Sequence, residues 1–197
     1  GLIKHLRQAR PDWRLTGLDF SARACELARL RTEAEIVQGS ITALPFADES
    51  FDAVVSADVV CQVEDGARAL QEFARVLRPG GLALVNVPAF RWLWSYHDDT
   101  CETKHRYTRP ELTALMQGAG LRVTFASYAN GLSLPLVVLR RKLFRPANPT
   151  SDVRLYPAPV EAIFGGMAWL EYKWMNLGGR VPAGSSVFVV ASKPHRA

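Results

Sequence analysis

The stretch RLTGLDFSARA, Arg14 to Ala24, decides the fold class. Its first half reads as a short apolar strand that ends on an acid, Asp19. Ser21 then opens a helix, ARACELARLRTEA, as its N-cap. A strand that ends on an acid and turns straight into a helix suits a nucleotide-type cofactor. The carboxylate can accept two hydrogen bonds from vicinal ribose hydroxyls. An Asp in that place also serves as a helix cap. Asp19 alone therefore leaves the identity of the cofactor open.

Working outward, the same alternation continues. Residues 1–10, GLIKHLRQAR, predict a helix on the spacing of Leu2, Ile3 and Leu6, and Pro11 ends it. EIVQG (Glu35–Gly39) predicts a strand and SITALPFADES (Ser40–Ser50) a loop. FDAVVSAD (Phe51–Asp58) has the apolar centre of a buried parallel strand. GARALQEFARVLRPGG follows as a helix with Ala67, Leu70, Phe73, Ala74 and Leu77 on one face, stopped by Pro79-Gly80-Gly81. LALVNVPA (Leu82–Ala89), LRVTFASYA (Leu121–Ala129) and SSVFVVASK (Ser185–Lys193) predict strands. Thr108-Arg109-Pro110-Glu111 has the form of a capping box. The expected fold is α/β: a mostly parallel, Rossmann-like sheet with helices on both faces and an antiparallel edge strand. Ligands bind such sheets outside the carboxyl ends of the strands. That rule directs attention to Asp19, Ser40, Ser56–Asp58 and the chain from Pro88 onward.

Two phrases resolve the cofactor. LPFADESFDAVVS followed by RVLRPGGLALVNVP, in that order and spacing, resembles the class I S-adenosylmethionine-dependent methyltransferases. The resemblance is to the small-molecule enzymes of the quinone-precursor type and covers roughly residues 1–125. It implies S-adenosylmethionine as cofactor. Asp19, with Phe20 beside it, would hold ribose, Ser40 and Ile41 would face adenine, and Ser56, Ala57 and Asp58 would flank the methionine part. The chain departs from the pattern at Ser40, where the family often has Asp. It departs again at Cys61 and Gln62, where relatives often carry Glu and His. Gly1 resembles the last glycine of the family's Gly-x-Gly-x-Gly loop. The chain is thus expected to start just inside the domain, without the first strand.

The acceptor side is expected in PAFRWLWSYHDDTCETKHRYTRPEL (Pro88–Leu112), which leaves the carboxyl edge rich in aromatic and titratable residues. His97 and His105 are the candidate proton acceptors. Trp94, Arg106 and Tyr107 are candidate substrate contacts, with Lys104 as a second cation for an acidic group. Cys61 is expected to be a structural thiol. No metal-ligand spacing is visible. Residues 130–184 read as a helical insertion or lid within a single domain, 1–197. LSLPLVVLRRKLFR and IFGGMAWLEYKWM within it suit a lid, a homodimer contact, or peripheral membrane contact through 134–145.

Composition narrows the class. With 48% hydrophobic and 22% charged residues the chain is an ordinary globular protein. No apolar run approaches the roughly 20 residues that span a bilayer. Three cysteines make no closed disulfide framework, so a reducing cytoplasm, with peripheral membrane association, is the expected setting. A net charge of +5 without an aromatic-interleaved basic groove does not call for nucleic acid. The function expected is methyl transfer to O, N or C of a small, apolar or lipid-linked acceptor. A non-catalytic partner-binding module and a nicotinamide-dependent oxidoreductase are the competing readings.

Overall fold

A computed structural model describes residues 2–143 and 157–195, with residues 142–143 described in backbone only. Gly1 and the 144–145 end of the expected membrane stretch lie outside the described residues. The chain divides into two compact units, Gly1–Ala47 and Asp48–Ala197.

In the first unit, helix α1 (Leu2–Ala9) precedes strand β1 (Thr16–Asp19), helix α2 (Ala22–Arg29) and strand β2 (Glu35–Gln38). The two strands pair in parallel, with Asp19 opposite Gln38. Ser21 caps α2 by accepting a hydrogen bond from the Ala24 N–H at 3.3 Å. Cys25 is fully buried beneath the helix, its thiol against the carbonyls of Asp19 and Val37. The helix ends at Arg29 because Arg29 turns back to bond the Ile36 carbonyl at 2.8 Å. It is one turn shorter than its sequence pattern predicts.

The second unit holds β3 (Phe51–Ala57), α3 (Gly66–Val76), β4 (Leu77–Pro88), α4 (Tyr96–Thr100), α5 (Arg109–Gly118), β5 (Arg122–Ala129), α6 (Leu134–Leu143), α7 (Ala158–Asn176) and β6 (Ser186–Ser192). Its sheet has the order β3-β4-β6-β5. β3 and β4 are parallel, and β6 runs antiparallel to both β4 and β5. The core gathers Leu70, Phe73 and Val76 of α3, Leu112 and Met116 of α5, and the alternating Ala83, Val85 and Val87 of β4. The α5 capping box forms, with Thr108 and Glu111 each accepting the other's backbone N–H.

Two expectations change. The strand that runs against the rest is β6, and it lies inside the sheet, leaving β5 at the edge. None of its residues is exposed, and a strand covered on both faces belongs between neighbours. The helix before Pro79 stops earlier than expected, at Val76, and Leu77–Gly81 already belong to β4. The register slips there: Leu77 faces Phe51 while Leu82 faces Ala53. The glycine pair allows the slip. Gly80 has φ +82°, and a Cβ on Gly81 would sit 2.9 Å from the Arg78 carbonyl oxygen.

Candidate active site

In the first unit, Asp19 ends β1 with an exposed side chain. Its Oδ1 accepts a hydrogen bond from the Ser21 N–H at 2.9 Å, which fixes the carboxylate plane. Oδ2 has no protein partner among the described residues and points the remaining lone pairs outward. Phe20 next to it is 79% exposed. Its carbonyl accepts from the Gln38 amide at 3.2 Å, tying the ends of β1 and β2 together. Ser40 follows β2. Its hydroxyl shares a 2.8 Å hydrogen bond with that of Thr42 and accepts from the Thr42 N–H. That turn holds Ile41 at its tip, half-buried.

In the second unit, both parallel strands leave the sheet through a strained residue. Asp58 after β3 and Phe90 after β4 each have φ +56°, a region costly for side chains with a Cβ. Such residues cluster at ligand sites. The Asp58 N–H donates to the Asn86 carbonyl at 2.9 Å, and its carboxylate accepts from the Asn86 amide at 3.2 Å. Asn86 is therefore part of the site. The signal for it was a lone polar residue in the apolar strand ALVNVP. Local crowding pushes the Asp58 carboxyl above the usual carboxylate range, although the Asn86 bond and the charges of His97 and Arg106 pull it back. Ser56 lies two residues before Asp58, and its hydroxyl is buried with no hydrogen-bond partner among the described residues. Ala57 between them is exposed.

Cys61 is 2% exposed, with its thiol against the Asp58 carbonyl at 3.4 Å. Burial, reinforced by the Asp58 charge, pushes its pKa up to about 12. The thiol is therefore protonated at neutral pH and unfit as a nucleophile. Iodoacetamide on the native protein is expected to label Cys101, which is partly exposed, and to spare Cys25 and Cys61 until the protein is denatured. Peptide mapping that finds Cys61 labelled in the folded state contradicts this burial.

The loop after β4 is built around one buried ion pair. The Arg106 Nε donates to Asp98 Oδ1 at 2.7 Å, with both side chains almost wholly enclosed. Arg106 Nη1 donates to the Ala89 carbonyl at 2.6 Å. The second Asp98 oxygen accepts from the Ser95 N–H at 2.9 Å and starts α4. Asp98 thus joins α4, the end of β4 and the 104–107 run. Sequence reasoning missed it, although Ser95-x-x-Asp98 has the spacing of a cap. Tyr107 is 3% exposed, and its hydroxyl lies against Gly66. Its backbone bonds Pro88 and Phe90, so it holds the loop to β4. Burial pushes its phenol up to about 12.

The two histidines separate. His105 Nε2 sits 2.6 Å from Glu111 Oε1, and its ring packs edge-on against Tyr107. His97 lies on α4, its ring nitrogens 3.7 and 3.8 Å from the Cys101 thiol, and its charge is felt at Asp58. Asp58 and Asn86 are thus joined across β3 and β4, and Arg106 is joined to Asp98 on the helix that carries His97. Trp94, whose indole donates to Asp99 at 2.9 Å, lines a neighbouring cavity of about 380 Å³ with Arg91, Lys104, His105 and Arg106. Among the described residues no group of three His, Cys, Asp or Glu side chains gathers in metal-binding geometry.

The insertion belongs to the second unit. Glu171 of α7 is 7% exposed and accepts the N–H groups of Asn130 and Leu132 at 2.7 and 2.6 Å. Arg141 of α6 donates to the Leu93 carbonyl at 3.3 Å, reaching the loop after β4.

Comparison with known proteins follows this geometry. Residues 1–85 match the methyltransferase domain family. The methyltransferase solved with the Trm112 activator of Haloferax volcanii superposes at a TM-score of 0.66 and 21% identity, over 99% of this chain and 78% of that one. A 37.1 kDa protein of a Streptomyces fradiae transposon is 33% identical over 149 residues, 73% of this chain and 43% of that protein. The ubiquinone/menaquinone biosynthesis C-methyltransferase UbiE of Geotalea daltonii is 36% identical over 78 residues, 36% of this chain and 33% of that protein. The chain thus spans less than half the length of these two curated relatives. Residues 1–85 thus resemble a methyltransferase domain, and the chain shares the fold of the solved methyltransferase.

Proposed function

We propose that this protein transfers a methyl group from S-adenosylmethionine to O, N or C of a small acceptor. The observation that carries this reading is Asp19. It ends a parallel strand inside the matched stretch, with one carboxylate oxygen fixed and the other open. The residues present suit the cofactor. Within the first unit, Asp19 offers acceptors suited to ribose hydroxyls and the Ser40–Ile41 turn an edge suited to adenine; within the second, taken by itself, Ser56 offers a hydroxyl without a partner among the described residues and Asp58 a carboxylate, both suited to a methionine group. When bound, S-adenosylmethionine supplies a sulfonium methyl, already electrophilic. The chain's own work is then to align the acceptor, exclude water and accept a proton. His97, against the Cys101 thiol, and His105, against Glu111, are the candidate bases. The relatives' quinone chemistry supports an aromatic, lipid-linked acceptor.

Calorimetry with S-adenosylhomocysteine and with NADH tests this reading. Binding of the first alone is expected. Binding of NADH points to an oxidoreductase, and binding of neither to a partner-binding module.

The insertion supports a further role at an anionic membrane surface. Ile163, Trp169, Leu170, Tyr172 and Trp174 of α7 are each more than half exposed, an unusual display for a helix. Residues 130–184 carry seven basic and three acidic side chains, and one of those acids, Glu171, is consumed by backbone N–H groups. No described helix is long and apolar enough to cross a membrane, so the contact is a surface one. Co-sedimentation with phosphatidylglycerol-containing vesicles at low salt is expected, and weaker pelleting with phosphatidylcholine alone. No pelleting, or a dimer in light scattering that Trp169→Ser dissolves, assigns the face elsewhere.

A further inference from the structure

We infer that the cavity beside α4 recognises an anionic group of the acceptor, a carboxylate or a phosphate. This deepens the methyl-transfer reading and rests on it for the word acceptor. The binding chemistry itself stands without it.

The cavity holds about 380 Å³ and is lined by Arg91, Trp94, Lys104, His105 and Arg106. Among the described residues no carboxylate is part of that lining. The cations differ in how far they are already compensated. Arg106 is matched by Asp98. His105 is matched by Glu111. Lys104 reaches only Glu64, at 3.6 Å, with both side chains well exposed, a pairing worth little in water. Arg91 has no carboxylate within ion-pairing distance among the described residues and is exposed. Arg91 is therefore left without a counter-charge among the described residues, and Lys104 is only loosely paired, at one cavity.

A second, independent observation points into the same space. The Arg106 side chain is only 2% exposed, and its Nε and Nη1 are both bonded. No protein hydrogen bond uses Nη2, and it is not among the buried atoms without a partner. That nitrogen keeps a trace of access, on a residue that lines the cavity. A buried, rigid guanidinium with one free N–H edge is a preorganised anion donor, since the ion pair to Asp98 already holds its plane. Trp94 adds a flat wall whose indole N–H is held by Asp99. The cavity thus combines a fixed guanidinium edge, two loosely held cations and one aromatic face. That combination fits a planar molecule carrying a carboxylate or phosphate.

The site lies close to Asp58 through Cys61. The N–H groups of Lys104 and His105 donate to the Cys61 carbonyl at 2.7 and 3.1 Å, and the Cys61 thiol meets the Asp58 carbonyl at 3.4 Å, at the end of β3. An acceptor anchored by its anion beside Trp94 is held on the same loop that carries His97. Anchoring by a group that does not react restrains the molecule before transfer.

The test uses the full chain and four probes: benzoate, phenyl phosphate, and the uncharged benzamide and phenol. In calorimetry at low salt, benzoate or phenyl phosphate is expected to bind about tenfold more tightly than its neutral counterpart. The tighter of the two distinguishes a carboxylate from a phosphate acceptor. Arg91→Ala and Lys104→Ala are each expected to weaken the preferred anion by about fivefold to tenfold. Arg122→Ala, on the exposed face of β5, serves as the control for general surface charge. Equal binding of charged and neutral probes overturns the proposal. So does an Arg122→Ala loss as large as that of Arg91→Ala. S-adenosylhomocysteine titrated into the same variants separates the two ideas. Retained cofactor binding with lost anion binding supports the pocket. Anion binding by a protein that never binds S-adenosylhomocysteine keeps the pocket and removes methyl transfer.

Discussion

Arg106→Met is expected to lower the unfolding free energy by about 3–5 kcal/mol, read from urea denaturation. The substitution removes the partner of Asp98 and leaves a carboxylate that is 1% exposed without its counter-charge. Taking that ion out of water is compensated by the guanidinium and by the N–H and hydroxyl of Ser95. Asp98→Leu alone is expected to be comparably harmful, because it strands the guanidinium in turn. The double variant is the informative one. With both charges gone the cost of burying them disappears, and most of the stability is expected to return. If the double variant is as unstable as the singles, the pair matters through shape rather than charge. The pair joins α4, the end of β4 and the 104–107 run. Its loss is also expected to raise proteolysis within residues 90–107 before the whole protein unfolds.

Asp19→Ala is expected to weaken S-adenosylhomocysteine binding by about ten- to a hundredfold, the worth of hydrogen bonds to a charged acceptor. Stability is expected to change by no more than about 1 kcal/mol, because the side chain is exposed and makes one local bond, to Ser21. Calorimetry and a thermal melt on the same sample read both numbers. A large loss of stability with unchanged affinity makes Asp19 a helix cap and removes it from the cofactor site.

Much of the fold was legible because the strands advertise their burial. FDAVVSA and LALVNVP are apolar through the centre, and the capping signals at Ser21 and Thr108 are local, so they survive any tertiary context. The place of β6 was not legible, since pairing order depends on which sheet edge is left to cover rather than on the strand's own residues. Leu77–Gly81 misled for a related reason. A proline and two glycines usually end a helix, but here they let a strand begin one register early.

The candidate site was legible by position and less so by role. The strand-end rule led to Asp19 and Ser56–Asp58 from spacing alone. It could not say that Asn86 holds Asp58, because that contact crosses from β4 to β3. Arg106 read as a free cation in a loop rich in charge. The structure encloses it with Asp98, eight residues earlier, on the wall of the cavity beside α4. Charge pairs across a loop carry no periodic signature, so only coordinates reveal which charges are already matched. His97 and His105 looked equivalent in sequence, and the Glu111 contact separates them.

The interior position of β6 sets the order of events during synthesis. Leu82 of β4 pairs with Ser192, and Arg122 of β5 with the same residue. Until residues 186–192 emerge from the ribosome, β4 and β5 have no strand to join them. The long insertion must be made before that happens. Between the emergence of Pro88 and that of residues 186–192 the nascent chain therefore carries an open ladder edge on β4, where strand-to-strand misassembly with a neighbouring chain starts most easily. Placing the joining strand after the insertion is expected to slow folding.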